Sequence, residues 1–355
     1  MHIYCSGIGG VGIGPLGLLA LDAGYQVSGS DLHESEMTAL LTSRGADVQI
    51  GQDGTQILGV HTKMPIDWFV YSSALPTDHP ELLFAKEHNI KISKRDEFLN
   101  TLMNEQSLDL VAVAGTHGKT TTTGILIWLF NRLSIPVSYS IGTSISFGPP
   151  AQYQKESRFF IYECDEFDRN FLQFKPRQSV IASFDYDHPD TYPTQADYTY
   201  AFQDFVSKSQ DTILWQDDAD ALELSDLSSI EILSDTDPGI NLIKLPGAHT
   251  RRNAWLAIQT VHELFPELEL DELTDIVASF PGTNRRFEKL APSFYSDYAH
   301  HPVEIVATIQ AATEINKNVV VVYQPHQNIR QHEIMAEGGY KNSFSDAKHV
   351  YWLPT

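Results

Sequence analysis

The chain has 355 residues, with 24 basic against 46 acidic side chains and a formal charge of −22. That balance argues against a non-specific surface for nucleic acid or anionic membrane and requires anionic ligands to be held by local clusters. With no run of about 18 apolar residues and no basic leader before the first strand, a soluble, cytoplasmic protein of two or three domains is expected, its Cys5 and Cys164 buried rather than bridged.

Residues 1–106 read as alternating strands and helices. A strand Met1-His2-Ile3-Tyr4-Cys5-Ser6 leads into Gly7-Ile8-Gly9-Gly10-Val11-Gly12, a helix through Leu21, and a second strand Tyr25-Gln26-Val27-Ser28-Gly29 that ends at Ser30-Asp31. Glycines after a strand permit a tight turn and close backbone approach to a diphosphate, and an acid about twenty residues later is positioned for a hydroxyl-bearing group. The glycines alone do not separate NAD from a nucleotide-sugar diphosphate. Further strands are predicted at Asp47–Ile50, Trp68–Tyr71 and Lys91–Ser93.

The most informative segment opens the middle section, residues 107–290. The apolar run Leu110-Val111-Ala112-Val113 predicts a buried strand, Gly124–Phe130 continues a helix, and between them lies Ala114-Gly115-Thr116-His117-Gly118-Lys119-Thr120-Thr121-Thr122-Thr123. Gly115 and Gly118 let backbone amides turn inward around an anion at the positive end of the helix dipole. Lys119 supplies a charge for the β- and γ-phosphates of ATP, and the Thr120 hydroxyl suits Mg²⁺. Val113 stands where the common phosphate-loop pattern has its first glycine. Lys119 reads as an exposed loop side chain whose removal abolishes phosphoryl transfer with little loss of fold.

Two further strands end in acids. Arg158–Tyr162 runs into Glu163-Cys164-Asp165-Glu166-Phe167-Asp168, and Ser179–Phe184 runs into Asp185-Tyr186-Asp187-His188. In a parallel sheet ligands gather at the carboxyl ends of strands, so Glu163 and His188 are the candidate metal ligands, and the other acids read as structural. The stretch 211–243 is acidic and irregular, and no site is read there. From about residue 291 a third α/β unit begins, with a strand Phe294–Ser296, a helix Pro302–Thr313, a strand Asn318–Tyr323 and a last strand His349–Leu353. Some 65 residues are too few to cover both faces of a parallel sheet, so apolar surface is expected to face water.

The order of motifs resembles the Mur ligases of peptidoglycan synthesis, and within them the alanine-adding branch. Gly115-Thr116-His117-Gly118-Lys119-Thr120-Thr121 carries the resemblance most specifically. It is supported in order by Gly7–Gly12 with Ser30-Asp31-Leu32, Tyr71-Ser72-Ser73-Ala74, Glu163–Glu166, Asp187-His188, Gly247-Ala248-His249 with Asn253-Ala254, Arg285-Arg286-Phe287-Glu288, Asp297-Tyr298-Ala299-His300-His301-Pro302 and Gln324-Pro325-His326. The resemblance implies an α/β, three-domain architecture. A Rossmann-like UDP-sugar domain would cover 1–106, a central P-loop ATP-binding domain 107–290, and an incomplete Rossmann-like C-terminal domain 291–355.

It also implies an ATP- and Mg²⁺-dependent ligation of L-alanine to UDP-N-acetylmuramic acid. By position, Gly115 to Thr121 would hold ATP together with His249 and Asn253 at the adenine, Arg286 at the γ-phosphate and Asp297 at the ribose. Thr120, Glu163 and His188 would hold metal, and Lys119, Glu163, His188 and Arg286 would carry catalysis. Gly9, Gly10, Val11, Asp31, Ser72, Ser73 and His117 would meet the UDP-sugar, and His300 is a candidate on the substrate side, with capping of the following helix as the other reading of the doubled histidines before Pro302. Thr250, Phe167, Ser183 and Gln327 depart from the family pattern. Three other readings stay open: a recycling ligase that attaches a tripeptide, a non-catalytic nucleotide-binding module, and an NAD-dependent oxidoreductase. The last leaves the second glycine loop unexplained.

Overall fold

The computed structural model describes residues 1–224, 228–325 and 329–354, so His326 and Gln327 lie outside the described residues. Among the described residues no helix is long and apolar enough to cross a membrane. The chain forms two compact units. The first comprises Met1–Leu110 with Ile135–Ser144 and Gly148–Ile161, and the second comprises Val111–Ser134 with Ile145–Phe147 and Tyr162–Thr355.

In the first unit β1 (His2–Ser6), α1 (Gly14–Asp22), β2 (Gln26–Asp31), α2 (Glu36–Ser43), β3 (Asp47–Ile50), α3 (Thr55–Lys63), β4 (Trp68–Tyr71), α4 (Pro80–Glu87), β5 (Lys91–Lys94) and α5 (Arg95–Glu105) alternate. The strands make a parallel sheet in the order β3-β2-β1-β4-β5. Central β1 is buried along its whole length, as a parallel strand covered on both faces must be. Tyr4 and Phe69 pack with Ile57, Val60, Leu82 and Ala85 in one core cluster.

The antiparallel pair β7 (Val137–Ser140) and β8 (Ala151–Gln152) falls in the first unit, whereas the second holds most of β6 (Asp109–Ala114), α6 (Lys119–Arg132), the end of β9 (Phe159–Glu163), β10 (Gln178–Ile181), α7 (Gln195–Lys208), β11 (Asp211–Trp215), α8 (Gln216–Ala221) and β12 (Ile230–Leu233). Strands β12-β11-β10-β6-β9 stand side by side in that order. β10 pairs in parallel with both β6 and β11. Helices α9 (Ala248–Leu264) and α10 (Leu270–Val277) pack on α6. The chain continues through β13 (Glu288–Ala291), β14 (Phe294–Ser296), α11 (Pro302–Ile315), β15 (Val320–Tyr323), α12 (Ile329–Ala336) and β16 (His349–Trp352).

Two expectations are corrected here. The strand predicted to reach Phe184 stops at Ile181, because the backbone of Ser183 is used instead by the phosphate loop, whose Thr116 N–H donates to its carbonyl at 3.0 Å. The described residues of 211–243 are also less irregular than expected. Thr212-Ile213-Leu214-Trp215 is the buried part of a strand, and Asp217, Asp218 and Asp220 sit on α8. At the far end, β15 and β16 pair in parallel, and Val320, Val322, Tyr351 and Trp352 are exposed, which agrees with the expected apolar surface.

Candidate nucleotide-binding and ligase site

The phosphate loop turns twice through left-handed backbone, at Gly115 (φ +128°) and Gly118 (φ +82°). Both turns are crowded as well as left-handed. A Cβ on Gly115 would lie 2.6 Å from the Ser183 carbonyl oxygen, and one on Gly118 would lie 2.6 Å from Oδ1 of Asn253. Glycine is therefore required on two counts. The loop is further fixed by the Thr116 hydroxyl, which donates to the Asp185 carbonyl at 2.6 Å, and by the His117 N–H, which donates to Ser183 Oγ at 2.8 Å. The four threonines divide their work. Thr120 donates to Glu163 Oε1 at 2.6 Å, Thr121 lines the adjoining cavity, and Thr122 and Thr123 are fully buried in the core.

Lys119 is not the exposed side chain that the sequence suggested. Its Nζ donates to both oxygens of Glu166, at 2.9 and 2.8 Å, and to the carbonyls of Gly115 and Thr116, at 2.5 and 3.3 Å. Glu166, read from sequence as merely structural, is fully buried and is the centre of this cluster. His188 Nε2 stands 3.5 Å from its Oε1, and its carbonyl accepts from the Tyr192 hydroxyl at 2.6 Å. Burial alone would raise the Glu166 carboxyl, but the charge of Lys119 and the bond to His188 outweigh it and hold the group below the usual carboxylate range. Burial likewise opposes the charged forms of Lys119 and His188, and Glu166 reverses both shifts upward. His188 occupies left-handed backbone at φ +55°, a conformation costly for a non-glycine residue and concentrated at functional sites.

A cavity of about 540 Å³ opens beside the loop and brings together His117, Thr120, His249, Asn253, Arg286 and Asp297. His249 Nδ1 is buried with no hydrogen-bond partner, and burial followed by the nearby Arg251 lowers its pKa, which keeps the ring neutral. Asp297 accepts from the backbone of Phe287 and of Ala299, both at 2.7 Å. Arg286 lies 3.9 Å from Glu304. His300 is held by the Glu304 carboxylate at its N–H (3.1 Å) and by the Tyr298 carbonyl at Nδ1 (3.0 Å). Glu304, which the sequence did not single out, also accepts from the N–H of His301 at 3.2 Å. Its signal was its place in the Asp297–Pro302 motif's own helix start.

Asp217 and Asp218, in the stretch 211–243 where no site is read from the sequence, line the same cavity. Asp218 accepts from the Phe184 N–H at 2.7 Å, and burial, reinforced by Asp217, pushes its carboxyl up to about 7. An acid raised in the folded state contributes stability that is fully present below its unfolded pKa, near 3.8, and lost as pH rises through the folded value. Asp218→Asn should therefore gain stability over the native chain between about pH 5 and pH 8, by ~1–3 kcal/mol. Urea midpoints at both pH values check it, and a constant difference between them would refute the assignment.

In the first unit Asp31 Oδ2 accepts from the Gly9 N–H at 2.8 Å, so the acid shapes the glycine turn directly. Val11 is largely exposed at the turn, Gly10 donates to the Gly7 carbonyl at 3.0 Å, and Ser72 and Ser73 follow the end of β4. Sequence reasoning missed Glu81. It is fully buried and accepts from Tyr4 (2.6 Å), Ser6 (2.6 Å) and Ser30 (2.8 Å), which makes it the keystone under the carboxyl ends of β1 and β2.

Residues 2–107 match the Mur ligase family, catalytic domain, and residues 113–234 match the Mur ligase middle domain. The chain is 31% identical to UDP-N-acetylmuramate–L-alanine ligase of Lactiplantibacillus plantarum, over 98% of its own length and 83% of the relative's. It is 32% identical to the enzyme of the same name from Clostridium perfringens, over 92% and 78%. Among solved structures it resembles UDP-N-acetylmuramate-alanine ligase of Thermotoga maritima, with a TM-score of 0.81 at 23% identity over 99% of this chain and 85% of that one. It also resembles a murein peptide ligase of Psychrobacter arcticus, with a TM-score of 0.72 at 22% identity over 99% and 84%.

Proposed function

The chain belongs to the Mur ligase family, and from that premise we infer that it is an ATP-dependent ligase that joins L-alanine to the lactyl carboxylate of UDP-N-acetylmuramic acid in peptidoglycan precursor synthesis. The observation that carries this reading is near-full-length identity of 31–32% to alanine-adding ligases, in a chain whose His117, Gly118, Thr120 and Thr121 of the glycine loop line one cavity together with Arg286.

Joining a carboxylate to an amine is uphill in water unless the carboxylate is activated. A lactyl oxygen attacks the γ-phosphorus and ADP departs, which leaves an acyl phosphate. The alanine amine then attacks the acyl carbon, inorganic phosphate leaves, and the nitrogen gives up a proton. The protein's contribution is chiefly positioning and neutralising charge, because an anionic carboxylate must approach a triphosphate in line. Loop amides from Gly115 to Thr121 bind the phosphates, and Lys119 and Arg286 offset their charge. His249 and Asn253 meet the adenine and Asp297 the ribose. Gly9, Gly10, Val11, Asp31, Ser72 and Ser73 meet the UDP-sugar, and His300 lies toward the amino acid.

Thr120, Glu163 and His188 are the residues that would hold Mg²⁺. The donor chemistry of two of them fits: the Thr120 hydroxyl and Glu163 carboxylate lie 2.6 Å apart and are the hard oxygens that this ion takes, whereas His188 offers a nitrogen that stands 3.5 Å from Glu166 and would be the weaker ligand; the ion would supply charge neutralisation at the phosphates. We read the chain as three domains, 1–106, 107–290 and 291–355, acting in the cytoplasm where both nucleotides are found.

The test compares ADP release in the presence of UDP-N-acetylmuramic acid with L-alanine against release with L-alanyl-γ-D-glutamyl-diaminopimelate, together with single-turnover detection of the UDP-muramoyl product. Alanine should stimulate release by at least ~100-fold more than the tripeptide at equal concentration. Preference for the tripeptide would assign the recycling reaction instead, and nucleotide binding without product would mark a non-catalytic module.

A further inference from the structure

His117 on the phosphate loop, Asp185 after β10 and His301 before α11 each bring one ligating atom to within 4.8 Å of the other two. The three arrive from distant points of the chain, so their meeting is a product of the fold and not of local sequence. His117 Nε2 lies 3.9 Å from Asp185 Oδ2. The other nitrogen of the ring, Nδ1, lies 3.2 Å from Glu304 Oε1. A carboxylate only accepts, so in the neutral ring Nδ1 carries the proton and Nε2 keeps its lone pair.

That lone pair is buried and has no hydrogen-bond partner, and His301 stands at the N-cap of α11 with its ring toward the first-turn backbone. An unsatisfied imidazole nitrogen is costly in a protein interior and calls for an occupant. A carboxylate that holds the far nitrogen of a histidine while the near one faces further donors is how proteins orient a metal-ligating imidazole.

We propose that His117, Asp185 and His301 form a site for a borderline divalent cation such as Zn²⁺ or Co²⁺, with Glu304 fixing the ring of His117. Two imidazoles and one carboxylate favour such an ion over Mg²⁺, which takes oxygen. The site shares no residue with Thr120, Glu163 and His188. Three protein ligands leave a position open, and because His117 and Asp185 line the cavity, that position is accessible to an anionic oxygen. The ion would cross-link the start of α11 to the phosphate loop, and its binding would stabilise the folded chain by mass action.

The test is a Co²⁺ titration of the full chain, freed of metal by chelation and dialysis and held in millimolar Mg²⁺, read by visible absorption and by calorimetry. One Co²⁺ per chain is expected, displaced by Zn²⁺. Asp185→Asn and His301→Ala should each weaken binding at least ~10-fold, Glu304→Gln should weaken it ~10–100-fold, and His188→Ala should leave it unchanged. Asp185 is half exposed, so its substitution is informative even where His301→Ala unfolds the protein. The proposal is overturned by absence of saturable binding in the native chain, by binding that survives Asp185→Asn, or by loss on His188→Ala, which would put the ion at the residues assigned to Mg²⁺. Because the readout is binding, it stands or falls separately from the ligase reading.

Discussion

Lys119→Ala should lower ADP release by at least ~10²–10³-fold, and it should also destabilise the protein. The first effect follows from removing the loop's cation from the phosphates. The second follows from the structure: with Lys119 gone, Glu166 is a fully buried carboxylate left with His188, whose Nε2 stands 3.5 Å from its Oε1. Breaking a buried pair from one side costs about 3–5 kcal/mol, because the remaining charge is left desolvated and uncompensated. Adding Glu166→Gln to Lys119→Ala should then recover most of the lost stability and none of the turnover. Urea midpoints of the three proteins and their ADP release rates decide the matter. Normal turnover in Lys119→Ala would remove the phosphate-loop assignment. Native stability in the single variant would show that Glu166 does not depend on its partner.

The pairing also bears on the order of events. Lys119 is engaged by Glu166 and two loop carbonyls, so a γ-phosphate at this loop must compete with a carboxylate for the same ammonium. Part of the nucleotide's binding energy is used to make that exchange.

Gly115→Ala is expected to have the next largest effect, a fall in nucleotide affinity of at least ~100-fold with a stability loss of ~1–3 kcal/mol. At φ +128° an L side chain is strained, and its Cβ would meet the Ser183 carbonyl oxygen at 2.6 Å, the Ser183 nitrogen at 2.8 Å and the Ala182 nitrogen at 3.1 Å. All three are backbone atoms of the segment after β10, which cannot rotate aside. Relief requires the loop to lift off Ser183, which breaks the Thr116 N–H bond to the same carbonyl. Gly45→Ala is the control, since Gly45 is also left-handed, at φ +99°, but its Cβ would meet nothing within 4 Å. It should show the strain and keep the affinity. Equal nucleotide affinity in Gly115→Ala and the native chain, by calorimetry, would contradict the loop's tight seating.

Much of the fold was legible because its signals are local. Strands Asp47–Ile50, Trp68–Tyr71 and Phe294–Ser296 fall where their apolar runs placed them, and the glycines of the phosphate loop announce the turn they make. What sequence could not supply was partnership across long separations. Lys119 looks exposed until β9 delivers Glu166, 47 residues later. Glu304 is an ordinary first-turn acid until the fold sets it against His117, 187 residues away. Glu81 reads as a surface helix acid, and only the sheet shows it surrounded by three hydroxyls. In 211–243 the average acidity hid a five-residue strand, because composition over thirty residues blurs an element that short.

Glu304 ties the phosphate loop and the first turn of α11 to a single anion, through the His117 ring and the amides of His300 and His301. The loss of freedom needed to align these segments is thus incurred during folding, before any nucleotide arrives. A ligand that enters finds the two already registered, and little of its affinity is consumed in ordering them.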